Sequence, residues 1–161
     1  MRLKAIIPLV ILVGAAGFLF WWFSDAQVIK RKTEDLAKIF TMSATDGKAI
    51  RVTKNNALSG LLTKDFKCKI SAQGYSGSFN KDEIQQAHAY LSRGGNTSSV
   101  TMKNWELSEL ADSSAKVKAT FSVNAHIKNN SPQTETVEAH IDLIKSQQGK
   151  WMIQKIASDQ E

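Results

Sequence analysis

The first side chains that could do chemistry lie on one predicted helix. His88 recurs at helical spacing with Ile84 and Leu91, so it faces the interior of the domain. A buried imidazole could transfer a proton or line a ligand pocket, or it could be a core histidine with one hydrogen-bond partner. Tyr90 lies near the other edge of the same helix, where its hydroxyl reaches water.

The only cysteine of the chain, Cys68, cannot form an internal disulfide or a thiolate zinc site by itself. It alternates with Phe66 and Ile70 in an apolar context, and no histidine neighbour is indicated that would activate a thiol nucleophile. We interpret it as a small core residue. The candidate pocket residues are therefore His88, Tyr90 and Cys68, and the chain carries no catalytic signature.

A second polar group lies on the outer face of the predicted sheet. We expect the two central strands to pair Phe121 with Ile141. The polar residues that this register brings together are Thr120 with Asp142, Ser122 with His140, and Asn124 with Glu138. His126 follows on the same face.

Metal ligands must converge to within about 2–2.5 Å of one ion, and alternating positions on an open sheet do not. We therefore predict neither a metal nor another cofactor. The predicted interaction face, formed by Asn124, His126, Glu138 and His140, is either solvated or contacts a protein partner or a second copy of the chain.

Composition limits the class of protein. The chain has 161 residues, of which 42% are hydrophobic and 22% charged, as in a single globular domain. The formal net charge is +6, and the basic surplus lies between residues 30 and 69. No interleaved aromatic and basic residues, zinc knuckle or helix-turn-helix pattern occurs, so we predict no nucleic-acid partner.

Periodicity predicts three helices in the first half of the chain. Apolar residues at helical spacing indicate helices over residues 26–42 and over about 45–62. The third helix opens with the segment Phe79–Ile84. There Asn80 can cap the helix while Glu83 reaches back to it, as in a capping box.

The rest of the chain alternates like strands. A short strand at residues 66–70 precedes a predicted turn at residues 76–78. An apolar row occupies every second position over residues 115–127, which indicates a long strand with one packed and one wet face. The strand before it slips phase between residues 102 and 105, which predicts a β-bulge.

Residues 5–23 form an uncharged apolar run at the amino terminus. A helix of this length spans roughly 28 Å, close to the hydrocarbon thickness of a bilayer. Trp21 and Trp22 close the run, as interfacial aromatics do. We predict an uncleaved membrane anchor over residues 1–24, whereas cleavage after Ala26 would make the run a signal peptide.

Charge at the two ends of this run predicts its orientation. Arg2 and Lys4 precede the run, and no acidic residue occurs before Asp25. The positive-inside rule then places the amino terminus inside. We expect a single-pass protein of a bacterial inner membrane, with the domain of residues 25–161 in the periplasm.

Helix, helix, strand, helix and four antiparallel strands make an α+β order. Three helices cannot cover both faces of such a sheet, so they pack on its apolar face and the sheet curls around them as a cone. This order, with the segment Phe79–Ile84 opening the third helix, resembles the nuclear transport factor 2-like superfamily. Its members include SnoaL-like proteins, ketosteroid isomerases and scytalone dehydratase. The resemblance covers about residues 27–158.

The resemblance implies that an enzyme would carry a carboxylate or histidine base inside the cone. The inward rows predicted here hold no polar side chain. We therefore expect a non-catalytic binding or scaffold domain of the cell envelope that acts through protein contacts. The alternative is a small-molecule enzyme of the isomerase, cyclase or dehydratase type that uses His88 in a cone pocket.

Overall fold

A computed structural model describes residues 13–15, 17–72, 75–93, 95–128 and 130–159. The elements of this part are α1 (Asp25–Phe40), α2 (Lys48–Leu61), β1 (Leu62–Ala72), β2 (Tyr75–Asn80), α3 (Lys81–Leu91), β3 (Thr97–Leu110), β4 (Ser114–His126), β5 (Gln133–Lys145) and β6 (Trp151–Asp159). The predicted α+β class is confirmed.

The six strands form one sheet in the order β2-β1-β6-β5-β4-β3. Neighbouring strands are antiparallel, except that β1 and β6 are parallel. One extra residue interrupts the register in β3, between Met102 and Asn104, and another in β6, at Gln154 opposite Asp142 and Leu143. Such bulges bend a strand and increase its twist, so the sheet curves. The bulge predicted in β3 is confirmed.

The three helices lie against the concave face of this sheet. On α1 the buried residues recur every three to four positions, which places one stripe against the sheet. They are Ile29, Thr33, Leu36, Ala37 and Ile39. Helix α1 contacts β3 and β6, whereas α3 contacts β1 and β2.

The start of α3 has the capping box that the sequence predicts. The backbone N–H of Glu83 donates to Asn80 Oδ1 at 3.0 Å, and the backbone N–H of Asn80 donates to Glu83 Oε2 at 2.8 Å. These bonds satisfy backbone groups that the first helical turn cannot satisfy internally. Helix α3 therefore begins at Lys81 and directs His88 toward α1.

The inward row of β4 is correct over the strand but not beyond it. Ala115, Val117, Ala119 and Phe121 are buried. Ile127, the last member of the predicted row, follows the end of β4 and is 38% exposed. The row ends with the strand because the chain turns away from the sheet there.

The predicted turn at residues 76–78 is wrong, because these residues belong to β2. Ser76, Gly77 and Ser78 pair with Ser71, Ile70 and Lys69 of β1. Small polar residues on a two-stranded edge bury little side-chain surface, so they show no apolar alternation. Backbone pairing alone makes this segment a strand.

The predicted hairpin register is also wrong. Phe121 pairs with Val137 instead of Ile141. Pro132 has no N–H for a ladder hydrogen bond, and β5 begins directly after it, with Gln133 opposite Ala125. The shift of four residues is even, so the inward and outward faces stay as predicted.

The predicted membrane location is corrected by the structure. Residues 1–12 and residue 16 of the predicted anchor lie outside the described residues, while residues 13–15 and 17–22 are helical. Within the described ranges, no helix is both long and apolar enough to cross a bilayer. The prediction of a single-pass inner-membrane protein with a periplasmic domain is therefore wrong. The helix count differs accordingly, because the predicted spanning helix is not found there.

The aromatic residues predicted to sit at a membrane interface contact each other and α1. Trp21 and Trp22 are 51% and 42% exposed. The rings of Phe18 and Trp22 stack with centroids 5.8 Å apart, and the Arg31 guanidinium lies 4.5 Å from the centroid of Trp22. This cation–π contact fixes Trp22 against the first turns of α1.

Asp25 fixes the start of α1 to the sheet. Its Oδ1 accepts a hydrogen bond from Trp151 Nε1 at 2.8 Å, and its Oδ2 accepts one from Lys145 Nζ at 2.9 Å. The hydrogen bonds from Trp151 and then from Lys145 lower the pKa of the Asp25 carboxyl below its ordinary value. Helix α1 is thereby joined to the end of β5 and the start of β6.

Candidate functional site

A cavity of about 290 Å³ lies between the three helices and the concave face of the sheet. We call it the cone cavity. Its wall comes from α1, α2, α3 and every strand except β2. The lining residues are Leu36, Ala37, Phe40, Leu58, Leu62, Phe66, Cys68, Ile70, Ile84, Val100, Phe121, Val123, Val137, Ala139, Ile141, Ile156 and Ser158.

Short side chains leave this space unfilled. Ala37 of α1, Ala139 of β5 and Cys68 of β1 line the cavity, where larger residues would meet across it. Protein interiors are normally packed as closely as organic crystals. A gap of this size is therefore unusual for a buried core and makes the cavity a candidate ligand site.

The cavity reaches the surface at one side. Leu58, Leu62 and Ile141 are fully buried in its wall. Seven wall residues are half-buried, and two of them, Ile70 and Val137, lie where the pairing of β6 with its neighbours ends, beside Ser158. We therefore place the mouth of the cavity near these two residues.

The structure places His88 beside the cone cavity, behind its wall. His88 is fully buried, and its ring packs edge to face against Phe40 with centroids 5.4 Å apart. Nε2 donates to the carbonyl oxygen of Ile39 at 3.0 Å, and Nδ1 lies 3.2 Å from the Asn55 side-chain amide, which donates to it. Both ring nitrogens are used in this neutral tautomer.

The environment of His88 favours the uncharged imidazole. Burial lowers its pKa below the ordinary value, the positive charge of Lys54 lowers it further, and the hydrogen bond to Ile39 opposes both effects. A neutral imidazole with two satisfied nitrogens has no free lone pair to accept a proton from a ligand. Its position fits a core histidine.

Cys68 lines the cone cavity directly. The side chain is buried, and burial raises the pKa of the thiol to about 11. A thiol with this pKa is protonated at neutral pH, and the thiolate is the nucleophilic form. Cys68 therefore contributes volume and polarizability to the wall.

Tyr90 lies on the solvent side of α3 and is 70% exposed. Its hydroxyl therefore reaches water, as the helical spacing predicts. The three predicted pocket residues are thus not brought together: Cys68 is in the wall, His88 is behind it, and Tyr90 is outside. No acid–base pair forms among them.

The predicted interaction face is polar and laced with charge pairs. Glu138 Oε1 lies 2.8 Å from Lys118 Nζ and 3.9 Å from His140 Nε2. Asn124 and His126 are exposed further along β4. In the part of the chain that the structure describes, no group of three or more His, Cys, Asp or Glu side chains could hold a metal ion.

A wider cleft of about 680 Å³ lies between α2 and the end of α3. Its most buried cations are already used. The Arg51 guanidinium donates to the backbone carbonyls of Asp46, Ser92 and Ser43. Lys54 Nζ lies 2.6 Å from Asp46 Oδ2. These contacts fix the loop between α1 and α2 and leave few groups for a ligand.

Another cleft, of about 570 Å³, lies at the strand ends of β3, β4 and β5. Its charged groups pair across the sheet, with Lys116 Nζ 2.9 Å from Glu109 Oε2. Both side chains are more than half exposed, and exposed ion pairs contribute little to the stability of the folded protein. The cone cavity is therefore the better candidate site.

Several wall residues could not be recognised as site residues from the sequence. Phe40, Ile84 and Val137 carry no chemistry by which a ligand site is identified. The signal in the sequence was indirect: alanines at inward positions of strands and helices, such as Ala139 and Ala37. Alanine is equally common in filled cores, so this signal did not distinguish a cavity from close packing.

Comparisons with known proteins identify the fold. No protein-family model matches the chain, and no curated protein matches it. A solved structure from Novosphingobium aromaticivorans, described as a candidate aromatic ring hydroxylase, is 14% identical with a TM-score of 0.66, covering 84% of this chain and 87% of its own. A candidate scytalone dehydratase from the same organism is 13% identical with a TM-score of 0.62, covering 84% and 85%.

A third solved structure has a different kind of description. The CaMKII hub of S. rosetta is 15% identical with a TM-score of 0.59, covering 84% of this chain and 96% of its own. Identities this low show a shared fold and nothing about activity. The chain thus shares with these proteins a mixed α+β fold with a curved sheet, which fits the nuclear transport factor 2-like fold that the sequence predicts.

Proposed function

We propose that this protein is a non-catalytic binding protein that holds a small apolar molecule in the cone cavity. The observation that supports this most directly is the wall of the cavity, which is apolar except for Cys68 and Ser158. An apolar ligand gains roughly 0.8 kcal/mol for each methylene group that it buries. A polar ligand would lose hydrogen bonds to water without replacement.

The same wall argues against catalysis. General acid–base catalysis needs a titratable group within hydrogen-bond reach of the substrate. Cys68 is the titratable residue of the described wall, and burial keeps its thiol protonated. Likeness in fold to proteins described as a hydroxylase and a dehydratase supports a small-molecule ligand in the cone but supplies no base.

Binding is tested with the uncharged fluorescent probe N-phenyl-1-naphthylamine and the full chain. Ala139→Leu places a larger side chain in the cavity wall and should weaken binding at least tenfold. Ala57→Leu adds the same atoms at an exposed position of α2, so it should leave the affinity within twofold of wild type.

Two results would contradict the proposal. Equal affinities of the Ala139→Leu and Ala57→Leu variants would place the bound probe outside the cone cavity. Chemical conversion of a bound small molecule, detected by mass spectrometry after incubation with the protein, would contradict the non-catalytic part. In that case the isomerase, cyclase or dehydratase alternative would be preferred.

We also propose that the chain self-associates through the outer sheet face. Two neighbours with this fold are described as a CaMKII hub and a CaMKII association domain, which supports assembly. Glu138 lies between Lys118 and His140 on that face. Sedimentation velocity should show a dimer that Glu138→Lys weakens and Asp112→Lys, in the β3–β4 turn, does not. A monomer at all concentrations would exclude this second proposal.

A further inference from the structure

A second, smaller cavity continues the cone cavity beyond the end of α1. Its volume is about 110 Å³. The two cavities share Phe40, Val100 and Val123, while Phe121 lines only the first and Ala125 only the second. Phe121, Val123 and Ala125 are successive inward positions of β4, about 7 Å apart. The two cavities therefore follow one another along this strand.

The shared residues form a constriction between the cavities. Val100 and Val123 are directly opposite each other on β3 and β4, and β-branched side chains are short and stiff. Phe40 approaches them from the last residue of α1, with its ring against His88. Phe40 is thus the one long side chain of the shared wall.

The second cavity also exposes few polar groups to a ligand, although Asn96, Thr97 and Ser98 lie in its wall. Asn96 Oδ1 accepts a hydrogen bond from the backbone N–H of Lys128 at 2.9 Å. Ser98 Oγ donates to the carbonyl of Phe40 at 2.6 Å. Most of the remaining wall is apolar, with Met42, Leu91, Ala125 and Ile127. The space suits methylene groups.

We propose that the ligand is an amphiphile with one unbranched alkyl chain, that the chain extends along β4, and that Phe40 is the specificity-determining residue that limits its length. This inference rests on the proposed function. A passage between this pair of neighbouring valines on the sheet and the phenylalanine of α1 fits a single chain and is too narrow for a fused ring system. The polar head stays at the mouth, because the wall offers it no charged partner.

The volumes set the expected chain lengths. One water molecule takes roughly 30 Å³ in the liquid, and a methylene group is of similar size. The cone cavity, at about 290 Å³, then holds roughly ten such groups. The second cavity, at about 110 Å³, adds roughly three or four. Wild-type protein should bind chains of about ten carbons best.

The test is a series of saturated fatty acids of increasing length, titrated calorimetrically into the full chain. Affinity should rise roughly fourfold per added methylene, the effect of burying one such group, and level off near ten carbons. In Phe40→Ala the rise should continue for about three further carbons. Phe40→Leu, which keeps more of the contact with His88, should extend it by fewer and replaces Phe40→Ala if that variant does not fold.

A matched control fills the second cavity. Ala125→Phe alone should leave the wild-type profile unchanged, and combined with Phe40→Ala it should restore the wild-type limit. An unchanged limit in both Phe40 variants would overturn the inference. Binding of N-phenyl-1-naphthylamine without binding of any fatty acid would also overturn it and leave the proposed function standing. If neither binds, both fail.

Discussion

The neutral imidazole of His88 links two other helices through its two hydrogen bonds. It connects the end of α1, through the Ile39 carbonyl, with Asn55 of α2. Removing the imidazole would leave the buried Ile39 carbonyl without this partner, while the Asn55 amide would keep its hydrogen bond to the Gln85 carbonyl. Such an orphaned group costs about 1–3 kcal/mol. The residue is therefore important for stability wherever the ligand sits.

The pKa of His88 makes a pH-dependent contribution to stability. In the unfolded chain the imidazole ionises near its ordinary value of 6.5, while burial lowers its pKa in the folded protein. Below that value the unfolded state binds more protons, so the free energy of unfolding decreases as the pH falls. Lys54 is the charged group that strengthens this effect.

We predict that the stability of wild-type protein falls between pH 7 and pH 5 and that His88→Gln removes most of this dependence. Urea unfolding at a series of pH values measures it. Exposed His126→Gln, at the end of β4, serves as the control and should keep the wild-type profile. Parallel pH profiles for wild type and His88→Gln would show that His88 ionises equally in both states.

At the scale of elements, the capping box determines where α3 begins. We predict that Asn80→Ala lowers the free energy of unfolding by about 0.5–2 kcal/mol, because the backbone N–H of Glu83 then lacks its side-chain acceptor. Asp82→Ala changes an exposed side chain of the same turn and should have a smaller effect. Thermal unfolding of the two variants compares them, and equal losses would mean that the cap does not matter.

The attachment of α1 to the sheet gives a second prediction at this scale. Asp25→Asn should lower the free energy of unfolding by about 1–3 kcal/mol. The buried Trp151 Nε1 would keep only a weaker acceptor, and Lys145 would lose its ion pair. The folded pKa of Asp25 is lowered from 3.8. Its contribution is therefore complete well above pH 4 and is lost as the pH falls below that value.

Urea unfolding of wild type and Asp25→Asn at pH 7 and at pH 3 measures this contribution. The difference between the two proteins should shrink at the lower pH. Asp35→Asn, which alters an exposed ion pair with Lys38, is the control and should be close to wild type at both values. A difference that persists unchanged at pH 3 would rule out the carboxylate as its cause.

Elements with strong local patterns could be predicted from the sequence. The alternation of β4, the capping box of α3 and the bulge in β3 each depend on residues close together in the chain, and the structure confirms them. β2 could not be predicted, because its small polar residues form a strand only by pairing with β1. The predicted hairpin register was wrong for a related reason. The alternating apolar rows fit more than one even register, and the position of Pro132 determines where β5 begins.

At the scale of the whole molecule, the cone cavity gives two neighbouring alanines different amounts of free space. Ala119 and Ala139 are directly opposite each other on β4 and β5, and both are buried. Only Ala139 lines the cavity. A larger side chain has room at one position and meets packed neighbours at the other.

We predict that Ala139→Leu keeps or raises the free energy of unfolding by up to about 1–2 kcal/mol. Ala119→Leu should lower it by about 1–3 kcal/mol through overpacking. Chemical unfolding at pH 7 compares the two variants directly. Equal losses at both positions would show that the space beside Ala139 is filled in solution.

The candidate site was the least predictable feature, because a cavity is a property of many distant residues at once. The predicted inward rows were correct within the strands, and they implied a dry, apolar interior. Whether such an interior is filled depends on how the three helices and five strands meet around Ala37, Cys68 and Ala139. The spacing of residues along the chain does not determine how far apart these helices and strands lie.

The parallel pairing of β1 with β6 has a consequence for synthesis. β6, the last strand of the sheet, lies between β1 and β5, so the β1–β2 hairpin touches the remaining strands only through it. A ribosome delivers this segment after all the other strands of the sheet. The sheet of the nascent chain therefore stays in two parts, and it becomes continuous only when β6 emerges and pairs with both β1 and β5.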